Sequence, residues 1–195
     1  MSKVTQKNEA DGRRMRSERS RRAIIDATLS LMNDGILIPT AQAIAERAGV
    51  GIRSFFRHFA DMDTLFSAVD EQGRDKTEAR FLGGDREGTL EERIQHAIER
   101  HADAYEAESN IILSTAAQLW RSEVLRRNYA HYQRGLRHDL NDWLPELKKL
   151  SRNKREAIDA IASFEMWHRL RYHQGLSKKS TIKLLVELIN ELIDQ

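Results

Sequence analysis

Residues 40–59, TAQAIAERAGVGIRSFFRHF, decide how this chain is read: two short helices joined by a glycine turn and followed by aromatic and basic residues. Ala45 and Gly49 stand four residues apart, with Ile44, Ala48 and Val50 as apolar partners. Such a set lets two helices cross closely with no bulky side chain between them. Gly49 is expected to supply the positive φ of the tight turn. The arrangement is a helix–turn–helix, an element that reads DNA, and no other segment carries so specific a chemical signal.

Upstream of it, a first helix is expected over residues 17–33, with Ala23, Ile24, Ala27 and Leu31 at helical spacing and Gly35 just beyond as a stop. Pro39 ends the loop and Thr40 serves as the N-cap of the second helix. The third helix, about 51–58, carries two consecutive aromatics, Phe55 and Phe56. One faces the small core and the other is pushed to the surface. Residues 1–16 are charged and lack apolar periodicity, so they are expected to form a basic disordered arm before a helix–turn–helix domain at 17–60.

The composition is that of a water-facing helical protein. Of 195 residues, 40% are hydrophobic and 32% charged, with only two prolines, and no run approaches a membrane span. The absence of cysteine removes disulfides, a thiol nucleophile and thiolate metal sites, and suits a reducing cytoplasm. The polar amino terminus carries no secretory signal. Net charge is +2, but residues 1–60 hold eleven Lys/Arg against six acids, leaving −3 for the rest. Positive charge is therefore segregated onto the same third of the chain as the helix–turn–helix, as suits a polyanionic partner. Solvated basic termini are common, however, and charge alone does not establish DNA binding.

Beyond it, Asp61 is placed to cap a linking helix over 61–82, with Leu65, Ala68 and Val69 as apolar positions. The segment GGDREG, 83–88, has neither phosphate-loop spacing nor a preceding strand, and reads as a connection between helices. Thr89 and Glu92 have capping-box spacing and open a helix to about Ala107. Further helices are expected at about 110–120, 122–144, 152–174 and 178–193, the last capped by Ser177 and strongly amphipathic through Ile182, Leu185, Val186, Ile189, Leu192 and Ile193. No stretch alternates as a strand does, so the fold class is all-α: an amino-terminal three-helix DNA-binding domain, then a larger antiparallel helical domain over 83–195.

These residues resemble the TetR family of bacterial transcriptional regulators. The resemblance rests on Gly35, Thr40, Ile44-Ala45, Ala48-Gly49-Val50, Ser54-Phe55-Phe56 and His58-Phe59, and covers about residues 20–70. The segment 163–177, SFEMWHRLRYHQGLS, also looks like a last-helix-pair segment of some members. The resemblance implies a two-fold dimer in which the amino-terminal domains read DNA and the larger domain holds a ligand and the dimer interface. It assigns Thr40, Ser54 and His58 to phosphates, and Gln42, Ile52, Arg53 and Arg57 to the major groove. The chemistry agrees: hydroxyls donate to phosphate oxygens, Gln pairs with adenine, Arg with guanine, and each good pair discriminates by roughly 1–3 kcal/mol. Ile52 suits a thymine methyl or simple packing. Two positions depart from the pattern. Phe56 stands where a tyrosine hydroxyl is usual in this DNA-facing set, and Met62 where a lysine is usual. The arginine-rich stretch from Arg13 to Arg22 offers cations that would compensate.

The carboxy-terminal half shows no catalytic signature, no cofactor motif and no metal spacing. His131 and His138, seven apart, lie about 10 Å from one another along a helix and cannot share one ion; His168 and His173 fit no better. Tyr105, Trp120, Tyr129, Tyr132, Phe164 and Trp167, with Trp143, are candidates for an apolar small-molecule cavity with polar tips. Each taken singly also reads as ordinary helix-bundle core. Dimerisation is expected through 152–174 and 178–193, which present Ile158, Ile161, Leu185, Val186, Ile189 and Leu192. The function expected is a cytoplasmic regulator, most often a repressor in such a family, that binds a palindromic double-stranded operator as a homodimer and is released by a small-molecule inducer. The rival is an all-α enzyme or carrier with an incidental helix–turn–helix, and a helical scaffold for other proteins is a third class.

Overall fold

The computed structural model describes residues 3–194, with side chains described from 14 to 194. Nine α-helices follow one another within this range: α1 Lys3–Asn33, α2 Ala41–Arg47, α3 Ile52–His58, α4 Met62–Phe81, α5 Leu90–Ala116, α6 Glu123–Trp143, α7 Arg152–Ile161, α8 Phe164–His168 and α9 Lys178–Asp194. A 3-10 helix, Pro145–Lys149, follows α6, and a π-helical segment, Arg169–His173, continues α8. No strand occurs among the described residues, in keeping with the all-α class. No helix among them is long and apolar enough to cross a membrane.

The chain divides into two compact units, one of Met1–Arg74 with Asn110–Tyr129, the other of Asp75–Ser109 with Ala130–Gln195. This differs from a boundary at 82/83. The stretch from 110 belongs with the first unit because its side chains hold that unit's loops. Asn110 Nδ2 donates to the Asn33 carbonyl at 2.7 Å, and Ser114 Oγ to that of Leu37 at 2.9 Å.

In the first unit, Ile24, Ile25, Ala27 and Leu31 of α1 meet Ile44 and Ala45 of α2, Phe55 and Phe59 around α3, and Leu65 and Ala68 of α4 in one buried cluster. The expected caps are present. Thr40 Oγ1 accepts from Ala43 N–H at 3.2 Å, and Asp61 Oδ1 from Thr64 N–H at 2.7 Å. That backbone hydrogen bond, reinforced by the Thr64 hydroxyl, holds the Asp61 carboxyl below its usual range. Gly35 and Gly49 both take positive φ, 84° and 67°.

The amino terminus corrects the sequence reading. Residues from Lys3 onward continue α1 as helix instead of forming a disordered arm up to 16. Its Lys, Gln, Glu, Ala, Arg and Met are good helix formers, and adding turns to an existing helix avoids the cost of nucleation. Residues 1 and 2 lie outside the described part.

The expected helices at 89–107 and 110–120 are largely one, α5, since Glu108, Ser109 and Asn110 include no breaker. The Thr89–Glu92 box forms at its start, with Thr89 N–H donating to Glu92 Oε2 at 2.8 Å and Glu92 N–H to Thr89 Oγ1 at 3.3 Å. The expected 152–174 helix is instead broken at Ala162. Ser163 caps a new helix by accepting from Met166 N–H at 3.3 Å, and the Ala162 carbonyl accepts from the Tyr105 hydroxyl at 2.9 Å. The glycine-rich 83–88 stretch is pinned by Asp139, which accepts from Gly83 N–H at 2.9 Å, Arg86 Nη2 at 2.6 Å and Trp143 Nε1 at 3.1 Å. Burial opposes ionisation of this carboxyl, but His101, the Gly83 N–H and Arg86 outweigh it and keep its pKa below the ordinary range.

Candidate nucleic-acid interface

The helical period sorts α3 into two faces. Phe55 is fully buried and Ile52 packs against the core, while Arg53, Phe56 and Arg57 are exposed at i, i+3 and i+4. Those three are neighbours on one helix surface. Phe56 is 52% exposed and stands edge-on to Phe55, with ring centroids 5.2 Å apart. Of the adjacent aromatics, Phe55 thus faces the core and Phe56 the solvent. A ring without a hydroxyl between two guanidinium groups offers stacking or van der Waals contact and no hydrogen bond to a phosphate.

Arg53 forms no ion pair among the described residues. Arg57 Nη2 donates to Ser54 Oγ at 2.8 Å, which ties an expected base contact to an expected phosphate contact. His58 is half-buried, and its Nε2 has no hydrogen-bond partner within the protein. Burial, followed by the charge of Arg57, lowers its pKa; Glu18 opposes this and Arg21 adds to it. Near neutral pH His58 is accordingly a neutral imidazole, able to hydrogen-bond but adding no charge. The Arg21 guanidinium lies 5.3 Å from the centroid of the Phe59 ring, so α1 contributes a cation beside the end of α3.

Helix α2 presents Thr40 and Gln42 to solvent. Gln42 Nε2 donates to Glu46 Oε1 at 2.6 Å. Glu46 did not emerge as a site residue from the sequence, although its i+4 spacing from Gln42 was visible there. It holds the Gln42 amide along the helix. Arg47 turns inward on the loop side, donating to Ser30 Oγ at 2.6 Å and Asp34 Oδ2 at 2.7 Å, and so fixes α2 against the end of α1. Met62 is half-buried against the core and presents no charge.

The six aromatics expected around a ligand are divided between the two units. Tyr105, Phe164 and Trp167 are buried in the second unit, where Tyr105 packs on Phe164 with centroids 5.5 Å apart and on Phe81 at the same distance. The Tyr105 hydroxyl, the polar tip a ligand would meet, is engaged with Ala162. Tyr132 is half-buried in the same unit. Trp120 and Tyr129 belong to the first unit, Trp120 being 77% exposed. Trp167 Nε1 is buried without a hydrogen-bond partner in the protein. No group of three or more His, Cys, Asp or Glu side chains among the described residues is arranged to hold a metal ion.

Residues expected to meet a second subunit are also largely used within one chain. Ile158, Leu185, Val186 and Ile189 are buried, while Ile161 and Leu192 remain half-buried. An amphipathic face read from sequence reports that it is covered, without reporting by what.

Residues 24–69 match the model of the bacterial regulatory proteins, tetR family. No curated protein matches the sequence. Among solved structures, the chain is similar to a transcriptional regulator from Rhodococcus sp. Rha1, at 19% identity over 91% of this chain and 96% of that one, with a TM-score of 0.67. It is similar to the multidrug binding protein EbrR, solved with imidazole, at 20% identity over 87% and 89%, TM-score 0.58. A Clostridium perfringens protein described as a candidate fatty acid metabolism regulator aligns at 16% identity over 88% and 97%, TM-score 0.56. At these identities the likeness establishes a shared fold.

Proposed function

We propose that this chain, whose residues 24–69 match the model of the bacterial regulatory proteins, tetR family, is a cytoplasmic, ligand-responsive transcriptional regulator acting by binding and not by catalysis. The observation that carries this reading is the outer face of α3, where Arg53, Phe56 and Arg57 are exposed together while Phe55 and Ile52 anchor the helix beneath them. In the proposed complex α3 lies in the major groove. Arg53 and Arg57 read guanine edges, Gln42 reads adenine after releasing Glu46, and Thr40, Ser54 and His58 meet phosphates.

The functional species in this reading is a homodimer, formed through what α7–α9 leave uncovered, with Ile161 and Leu192 at its margin. Two reading helices then address half-sites about 34 Å apart, one turn of the duplex, which is why a palindromic operator is expected. A small-molecule inducer that binds one arrangement of the helical unit more tightly would shift the population away from the DNA-bound form; a difference of a few kcal/mol is sufficient. In this reading the DNA-bound dimer represses transcription and the ligand relieves it. Two structurally similar proteins, one a multidrug binding protein and one described as a candidate fatty acid metabolism regulator, support an organic inducer.

The test is a footprint on the DNA flanking the chain's own gene, with bulk DNA as competitor and light scattering for the mass of the complex. A protected palindrome, bound by two chains and resistant to competitor, is the expected result. Uniform protection that bulk DNA abolishes would overturn the reading.

A further inference from the structure

Between the end of α6 and the start of α7 lies a groove of about 210 Å³ that the DNA-reading function does not use. Leu140 and Leu147, both buried, give it an apolar base. Its acidic side chains are already satisfied: Arg137 Nη2 lies 2.8 Å from Glu156 Oε2 and 2.5 Å from Asp159 Oδ2. The hydrogen bonds that Arg137 donates to Asp159 and Glu156 raise its pKa, so it stays charged and occupied with them.

The two remaining arginines on the wall, Arg152 and Arg155, are exposed and form no ion pair among the described residues. Around them, residues 148–155 contain Lys148, Lys149, Arg152, Lys154 and Arg155 and no acid. The groove thus joins an apolar base to two guanidinium forks outside its ion pairs, and with three arginines against Glu156 and Asp159 its lining keeps a net positive charge. Guanidinium matches the planar geometry of carboxylate and phosphate oxygens in a way that scattered surface lysines do not.

We propose that this groove binds a small organic anion, its carboxylate or phosphate on Arg152 and Arg155 and its apolar body on Leu140 and Leu147. The volume is below the roughly 300–1,000 Å³ of drug-sized sites, which limits the occupant to about one ring or a short chain. A nucleic-acid backbone would engage Lys148 and Lys149 as readily as the arginines and has no use for an apolar base.

Calorimetric titration of the full chain with benzoate, phenyl phosphate, benzyl alcohol, benzylammonium and inorganic phosphate tests this. Saturable binding of benzoate or phenyl phosphate is expected, with the alcohol, the ammonium ion and inorganic phosphate at least about tenfold weaker, a difference of roughly 1.4 kcal/mol. The double substitution Arg152→Gln with Arg155→Gln should weaken the aromatic anions by about tenfold or more, and Lys148→Gln with Lys149→Gln by less than about twofold. All four side chains are exposed and form no ion pair among the described residues, and melting without ligand verifies that both variants remain folded. Absence of saturable binding by either aromatic anion overturns the proposal. So does equal binding of benzyl alcohol or inorganic phosphate, or benzoate affinity that survives loss of both arginines. Equal losses in the arginine and lysine variants overturn it too, and point instead to a diffuse cationic surface of the kind that meets nucleic-acid phosphates.

Discussion

Ser122 donates its hydroxyl to Asp63 Oδ1 at 2.5 Å and accepts from Leu125 N–H at 3.1 Å. One side chain thereby caps the start of α6 and ties it to the first turn of α4. Ser122→Ala removes a cap, worth about 1 kcal/mol, and takes from Asp63 a donor it uses in a part-buried position. The expected loss is about 2 kcal/mol in urea denaturation, with little change of slope. Ser122→Asp keeps a capping oxygen but faces Asp63 with like charge, and should recover less than half of the loss near neutral pH.

On the DNA-reading face, Arg53 and Arg57 differ in their unbound partners. Arg53→Ala should cost about 1–3 kcal/mol of operator affinity and relax preference at one base position, as read by binding to a set of single-base operator variants. Ser54→Ala frees Arg57 from its 2.8 Å hydrogen bond while deleting a phosphate contact, so its effect should be smaller than that of Arg57→Ala. Phe56→Tyr restores a hydroxyl on an exposed ring and is expected to tighten binding without changing sequence preference.

Two glycines separate backbone strain from steric conflict. A Cβ at Gly49 meets nothing within 4 Å, so Gly49→Ala should cost only the left-handed conformation, about 1–2 kcal/mol. At Gly84, with φ +114°, a Cβ would stand 2.7 Å from Trp143 Cζ2, and that ring is itself buried and hydrogen-bonded to Asp139. Gly84→Ala should therefore be the more damaging of the two by thermal melting, and should disturb the near-ultraviolet tryptophan signal where Gly49→Ala does not.

Asp139 gives the pH dependence a definite sign. Its folded pKa lies below the ordinary aspartate range, so the stability it contributes is present above that range and is lost as pH falls through the folded value. Asp139→Asn should cost about 3 kcal/mol at neutral pH, since it leaves Arg86 and His101 without their carboxylate. Arg86 is partly exposed, which keeps the loss from being larger. The variant's stability should also fall less steeply than the parent's on acidification below about pH 5, measured by urea midpoints across pH.

The helix starts and turns were legible because their signals are local. Thr40, Asp61, Thr89 and Ser177 cap helices through residues three positions away, and Gly35 and Gly49 act through their own φ. The break at Ala162 was missed although Ser163 caps α8 through Met166, three positions on; the Ala162 carbonyl freed there is taken up by the Tyr105 hydroxyl, 57 residues away, which no local pattern announces. The same long-range pairing removes Tyr105 from the set of free polar tips suggested by its type. Asn110, Ser114 and Ser122 carry no periodic signal, yet they decide which unit the end of α5 and the start of α6 join. On α3 the exposed face followed from the period, whereas the bond between Arg57 and Ser54 depends on rotamers that no spacing specifies.

Loss of residues 1–16 should lower operator affinity and flatten its dependence on salt, since each phosphate-neutralising cation contributes about one unit to that slope. An unchanged slope in a salt titration of the truncated protein would remove the amino terminus from the DNA contact.

That the arm continues α1 alters what such a contact would involve. A loose chain can turn every cation toward the phosphates but must give up its freedom to do so, at a cost of about 1–2 kcal/mol per residue. A helix has already surrendered that freedom, but it fixes where each charge points. Arg14 and Arg21 are seven residues apart and project along nearly one line, whereas Arg16, Arg19 and Arg22, at steps of three, form a second row that winds through about 120° on the other side. The arm then behaves as a rod with two charged rows, able to turn only one of them toward any single strand.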